Sequence, residues 1–192
     1  MRAHSFIFLA AGFGVGFAAM YPWMSKRAPE IARPIPTFVR NMGSPAEPPA
    51  PPLDTARMRQ LEETVSKDPK NFDALIELGN MHFDQRAYDK AAGLYKKGLE
   101  VQPGNVTLRT DLGTALFYSR RVDEAIVELR KSLELDPTHP QTLFNLGVAL
   151  LEGKNDSKGA LEAWEKLVAA NPDFPQIAIV KQQIDALRAR QQ

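Results

Sequence analysis

The chain has 192 residues, 44% of them hydrophobic, a formal net charge of +1 and no cysteine. The absence of cysteine excludes a disulfide framework, a lipid-anchoring cysteine and covalent haem attachment to this chain. The charge is unevenly placed: residues 1–52 hold five basic and two acidic side chains, residues 53–192 nineteen and twenty-one. Such a slightly acidic body has no electrostatic footprint for nucleic acid, so no nucleic-acid partner is expected.

From the N-terminus, no full charge falls between Arg2 and Lys26, and Ser5–Trp23 is an uncharged run of 19 residues. As a helix this run spans roughly 28 Å, enough for the hydrocarbon core of a bilayer. Tyr21 and Trp23 stand where amphipathic rings favour the headgroup region. Residues 1–25 are therefore expected to form a transmembrane anchor. A cleaved signal peptide is the alternative, because Gly16, Phe17 and Ala18 offer small residues at a cleavage site. Gly12 and Gly16, four apart, give the anchor a small-residue face for weak homo-association. Positive residues flank both sides, so charge does not orient the segment. The expected arrangement is single-pass in a bacterial inner membrane, with a short cytoplasmic tail and the remainder in the periplasm. Residues 26–52 follow as a linker, with eight prolines between Pro29 and Pro52 that make it a semi-rigid spacer.

Leu53–Asp68 reads as an amphipathic helix, with Met58, Leu61 and Val65 on one face and Asp54 or Thr55 as N-cap. Beyond it a repeat governs the chain. Pro69, Pro103, Pro137 and Pro172 recur at spacings of 34, 34 and 35 residues. A fixed period of this kind means stacked copies of one helical hairpin. Leu78-Gly79, Leu112-Gly113 and Leu146-Gly147 open the units; Ala91, Ala125 and Ala160 follow, then the bulky Tyr95, Leu129 and Trp164. The small residues let two antiparallel helices approach, the bulky ones are expected to fill the gap to the next unit, and each proline ends the second helix. The repeats are 72–105, 106–139 and 140–174, with one extra residue in the Glu152–Gly159 turn accounting for the spacing of 35. Val65 and Pro69 stand one period before Leu99 and Pro103, so the first helix is in register with the second half of a repeat. At the far end, Ile177, Val180, Ile184 and Leu187 give residues 175–190 one apolar face, suited to a helix that caps an open stack.

This combination of glycine, alanine, bulky residue and proline resembles the tetratricopeptide repeat (TPR) family. The resemblance implies an all-α fold: a right-handed solenoid of three helical hairpins over residues 53–192, with a preceding half-repeat helix and a C-terminal capping helix. It also implies that the first helix of each hairpin lines a concave face where peptides bind. Carried over by position, that peptide-binding groove comprises Ile76, Asn80, Phe83, Thr110, Thr114, Phe117, Tyr118, Phe144, Asn145 and Val148. Asp73, Asp84, Thr107, Gln141, Leu151 and Glu152 complete it, and at least two of the four aromatics are expected to be exposed. The groove is aromatic and lacks lysine and arginine, so apolar burial rather than charge is expected to drive binding. Relatives that clamp the carboxylate end of heat-shock proteins use a Lys/Arg and Asn cluster. The matching positions here are Ile76, Asn80, Asp111, Gln141 and Asn145, of which only Asn80 fits.

Nothing points to catalysis. His4, His82 and His139 lack the spacing of metal ligands, and His82 stands where the family packs an aromatic residue. No nucleophile pairs with a base, and Gly12, Gly14 and Gly16 lie in the anchor rather than a phosphate loop. No enzyme activity, metal or cofactor is expected; a protein or peptide partner is. The layout of anchor, spacer and repeats is similar to that of TPR accessory proteins in bacterial c-type cytochrome maturation, which implies a role in holding apocytochrome. The alternative is a structural scaffold subunit that stabilises a membrane or envelope protein complex.

Overall fold

The computed structural model describes residues 52–190. The expected anchor, its glycine face and most of the linker lie outside these residues. Eight α-helices run in order, with no strand among the described residues: α1 Thr55–Lys67, α2 Phe72–Asp84, α3 Tyr88–Val101, α4 Val106–Tyr118, α5 Val122–Leu135, α6 Pro140–Val148, α7 Ser157–Ala170 and α8 Ile177–Ala189. Each packs on its neighbours in the chain, and α4 also touches α6, as expected of hairpins stacked with their first helices side by side.

The helix starts follow from local chemistry. Asp54 accepts a hydrogen bond from the Arg57 amide at 2.9 Å, Asn71 from Ala74 at 3.0 Å, Asn105 from Leu108 at 2.9 Å and Asp156 from Gly159 at 2.9 Å. Each satisfies one of the amides that a helix leaves without an internal partner. Asn71, Asn105 and His139 occupy one repeat position, and His139 is the N-cap of α6. Between the helices of each hairpin stands one left-handed residue, Arg86, Arg120 or Asn155, with φ of 62°, 65° and 53°.

The extra residue of the third repeat is accommodated at the upstream edge of the expected stretch. Helix α6 runs into a π-helical turn, Ala149–Gly153. In the first two hairpins the turn closes from the Ala87 amide to the His82 carbonyl and from Arg121 to Leu116. In the third it closes from Asp156 to Leu150, one residue wider.

The core shows what the bulky residues touch. They seat on the glycine of their own hairpin, and Tyr95 also shares one buried cluster with Leu108, Leu112 and Leu116 of the next repeat, as expected of a residue filling the gap between units. A Cβ on Gly79 would meet Tyr95 Cε1 at 2.6 Å, on Gly113 Leu129 Cγ at 2.7 Å, and on Gly147 Trp164 Nε1 at 2.1 Å. Ile76 and Leu108 also lie between the repeats, their side chains converging over Gly98.

Both ends of the stack are covered. Helix α1 buries Leu61 against Ala74 and Leu78, with Met58 and Val65 beside it, and Arg57 Nε donates to Glu77 at 2.6 Å. Helix α8 buries Val180, Ile184 and Leu187, and Arg188 bonds Glu165 at 2.8 Å.

His82, on α2, is half-buried. Burial lowers its pKa, Lys90 lowers it further, and Glu62 opposes both. A lowered folded-state value means the unfolded chain binds the proton more tightly. The contribution of His82 to stability is thus complete above about pH 6.5 and is lost as pH falls from there toward the folded-state value. Replacing His82 by phenylalanine should flatten the stability profile in that window. Denaturation midpoints at a series of pH values check this, and an unchanged slope in the variant refutes it.

Candidate peptide-binding face

The inward positions of α2, α4 and α6 form rows spaced by the repeat, and the rows differ in fate. The first, Ile76, Thr110 and Phe144, points toward the following repeat. Ile76 is partly buried over Gly98, Thr110 is 1% exposed, and Phe144 is 1% exposed with its ring 5.7 Å from that of Phe174. Thr110 and Phe144 are therefore corrected from ligand-facing residues to packing between repeats. Phe174 and the chain leading into α8 supply the cover that buries Phe144.

Thr110 belongs to a buried hydroxyl cluster that sequence reasoning missed. Its Oγ1 lies 2.6 Å from Thr142 Oγ1 and 3.0 Å from Ser132 Oγ, and both Thr110 and Ser132 donate to the Val106 carbonyl. Thr142 also meets His139 Nδ1 at 2.7 Å. Ser132 stands at the position of Gly98 and Leu167, and Thr142 at that of Ala74 and Leu108. The signal was a hydroxyl at positions that are apolar or glycine in the sister repeats.

The second row, Asn80, Thr114 and Val148, is half open. Asn80 accepts from the Tyr95 hydroxyl at 2.8 Å. Thr114 donates to the Thr110 carbonyl at 2.8 Å and accepts from Asn145 Nδ2 at 2.8 Å, while Gln141 Nε2 donates to Asn145 Oδ1 at 2.9 Å. This polar ladder joins α4 to α6 and leaves Asn145 only 8% exposed. Val148 is buried at 1% and leaves the ligand-facing set.

The third region is aromatic. Tyr88 and Tyr118 stack with centroids 4.9 Å apart, Phe83 meets them edge-on at 5.1 and 5.8 Å, and Phe117 meets Tyr118 edge-on at 5.8 Å. Phe83 is buried beneath this ledge, whereas Tyr88, Phe117 and Tyr118 are half-buried. Of the four expected aromatics, two are thus buried and two partly accessible; none is fully exposed.

The accessible inward surface is accordingly Asn80, Thr114, Phe117, Tyr118 and Gln141, with the exposed carboxylates Asp73, Asp84 and Glu152 around it. Asp111, one of the carboxylate-clamp positions, is 9% exposed and turned into the fold. Glu152 keeps solvent contact, yet the protein crowded around it pushes its carboxyl above the ordinary range, with Arg120 opposing. Among the described residues, no three His, Asp or Glu side chains gather as metal ligands, and no helix is long and apolar enough to cross a membrane.

Known proteins share this architecture. The crystal structure of MamA matches over 83% of this chain and 91% of its own, with 22% identity and a TM-score of 0.60. The first TPR of Spaghetti (RPAP3), solved with the HSP90 peptide SRMEEVD bound, matches over 64% of this chain and 94% of its own, at 21% identity and a TM-score of 0.56. The Sgt2 TPR domain from Aspergillus fumigatus matches over 62% and 78%, at 26% identity and a TM-score of 0.56. No curated protein sequence matches significantly. The family model of the tetratricopeptide repeat matches residues 59–106 and 110–175, more than half of the sequence, and the chain therefore belongs to the tetratricopeptide repeat family.

Proposed function

We propose that this chain is a membrane-tethered adaptor that holds a peptide or helix of a partner protein on the inward face of α2, α4 and α6. The observation that carries this reading is the contrast between covered ends and a partly accessible inner face. Helices α1 and α8 seal the stack with their apolar sides, while Asn80, Thr114, Phe117 and Tyr118 remain partly accessible. A relative that binds the HSP90 peptide supports peptide capture by this fold. The acidic surround here argues against a carboxylate-rich peptide as the ligand.

The test is crosslinking capture of the partner from native membranes with the full-length chain and two variants. Thr114→Arg, which places a long cation in the polar ladder, and Phe117→Ala should each reduce capture about tenfold or more, equivalent to ~1.4 kcal/mol. Normal capture by both variants overturns the reading, and loss only on altering the anchor or the outer helix faces favours a scaffold subunit.

The finer reading places the repeats in the periplasm, tethered through Ser5–Trp23, with unfolded apocytochrome c as the ligand. It rests on the layout of anchor, spacer and repeats. A reporter active only after export, fused after Gln192, should be active; activity of a cytoplasm-only reporter at that point reverses the orientation and removes the cytochrome role with it.

A further inference from the structure

The π-helical turn of the third repeat changes what that repeat presents. In the second repeat Tyr118 lies against Tyr88, the first residue of α3. The residue that meets Val122, the first residue of α5, in the equivalent way is Gly153, where a Cβ would come within 2.4 Å of Val122 Cγ1. By sequence spacing Glu152 is the counterpart of Tyr118; by contact, Gly153 is. The extra residue thus moves Glu152 one step back along the helix, from the ledge position of Tyr118 to the inward position that Phe117 holds one repeat earlier. π-helical insertions of this kind occur frequently at functional sites because they re-aim a side chain without breaking the helix.

Glu152 arrives there as a carboxylate with no hydrogen bond or ion pair among the described residues. Arg120 acts on it electrostatically without reaching it, and Lys154, its near neighbour in sequence, is engaged with Asp123 at 2.8 Å instead. At that inward step Glu152 keeps its solvent contact. The inward positions otherwise carry Asp73 and Asp84 and no lysine or arginine. Apolar area available to a ligand is smaller than the sequence suggests, because Phe83, Phe144 and Val148 are buried. Charge must then carry more of the recognition.

We propose that Glu152 is the specificity residue of this face and that the segment it captures is basic: an extended stretch of a partner protein presenting arginine at every third residue. Neighbouring packed helices lie 8–10 Å apart, and an extended polyproline-like chain advances about 9 Å per three residues. One arginine of the segment pairs with Glu152 while the next, one repeat back, lies over the half-buried Phe117 and Tyr118 rings, an arrangement that cation–π attraction favours.

This proposal rests on the groove reading above, and the experiment separates the two. The probe is a labelled peptide of consecutive Arg-Ser-Pro units, compared by fluorescence anisotropy with a Glu-Ser-Pro counterpart and with a peptide of identical composition whose arginines are contiguous. The full-length chain should bind the spaced basic probe at least tenfold tighter than the acidic one and several-fold tighter than the contiguous one. Glu152→Gln should weaken the basic probe about tenfold and Glu152→Asp should restore part of that, with helicity and melting unchanged in both. Raised salt should weaken binding steeply. Failure to bind the basic probe, equal binding of the acidic one, or an unaltered affinity in Glu152→Gln overturns the proposal. If Thr114→Arg still abolishes partner capture in that event, the groove reading survives alone; if capture survives Thr114→Arg, both fall.

Discussion

Truncating Trp164 to alanine should lower the stability of the repeat domain by about 3–5 kcal/mol, the usual cost of removing a buried tryptophan. Trp164 is 0% exposed, its Nε1 donates to the Phe144 carbonyl at 3.1 Å, and its indole lies against the bare backbone of Gly147. Loss of the ring leaves a void at the centre of the third hairpin and removes a hydrogen bond that ties α7 to α6. The reciprocal change tests the same contact from the other side. Gly147→Ala places a methyl 2.1 Å from Trp164 Nε1, and a rigid indole with a buried hydrogen bond cannot yield by that much. Overpacking of this kind costs about 1–3 kcal/mol or more. Because both variants act on one contact, the double variant should be less destabilised than the sum of the two. Urea denaturation of the four proteins provides the cycle. Additive costs, or a Trp164→Ala loss below about 1 kcal/mol, would show that the indole is not seated on the glycine.

What the sequence disclosed depended on whether a residue's role repeats with the period. Gly79, Gly113 and Gly147 recur because every hairpin needs the same close approach, and the caps Asn71 and Asn105 recur because every first helix has orphan amides to satisfy. Hence the hairpins, the half-repeat helix and the terminal cap were all legible. The candidate face was less so. Position within the repeat says which way a side chain points but not what lies opposite it, and the covers come from elsewhere: Phe174 for Phe144, Thr142 and Ser132 for Thr110. The Thr110 cluster spreads over three different repeat positions, so no column of the repeat displays it. The extra residue was legible as a count, but its consequence for Glu152 was not. A spacing of 35 does not say where along the turn the chain widens, and only the closing bond from Asp156 to Leu150 locates it.

Arg109 and Glu128 give the second large expected effect, and it arises where the second repeat departs from its sisters. Arg109 stands at the position of Leu75 and Leu143, and Glu128 at that of Leu94 and Ala163, so an ion pair replaces apolar residues at both places. Arg109 Nη1 meets Glu128 Oε2 at 2.8 Å with both side chains 16% exposed, and Arg109 Nη2 also donates to the Pro103 carbonyl at 2.7 Å. Arg109 Nε is buried without a partner, so the guanidinium is incompletely satisfied. Arg109→Ala should therefore cost about 2 kcal/mol, because it leaves a largely buried carboxylate that only Lys131 still serves. Arg109→Leu combined with Glu128→Leu, which imports the apolar character of the first repeat, should come within about 1 kcal/mol of the parent or exceed it, since desolvating two charges offsets most of their attraction. The pH dependence supplies a second readout. Burial alone would raise the Glu128 carboxyl, but hydrogen bonds from Lys131 and Arg109 outweigh it, and the net position is below the ordinary range. A carboxylate depressed in the folded state stabilises above its unfolded value, about 4.3, and loses that contribution as pH falls through the folded-state value. The parent should thus weaken across that acid window by more than the double-leucine variant does. A double variant as unstable as Arg109→Ala would mean that the pair is a net stabiliser rather than a polar substitution the fold tolerates, and equal acid sensitivity in the two would mean that the Glu128 carboxyl is not held below its ordinary range.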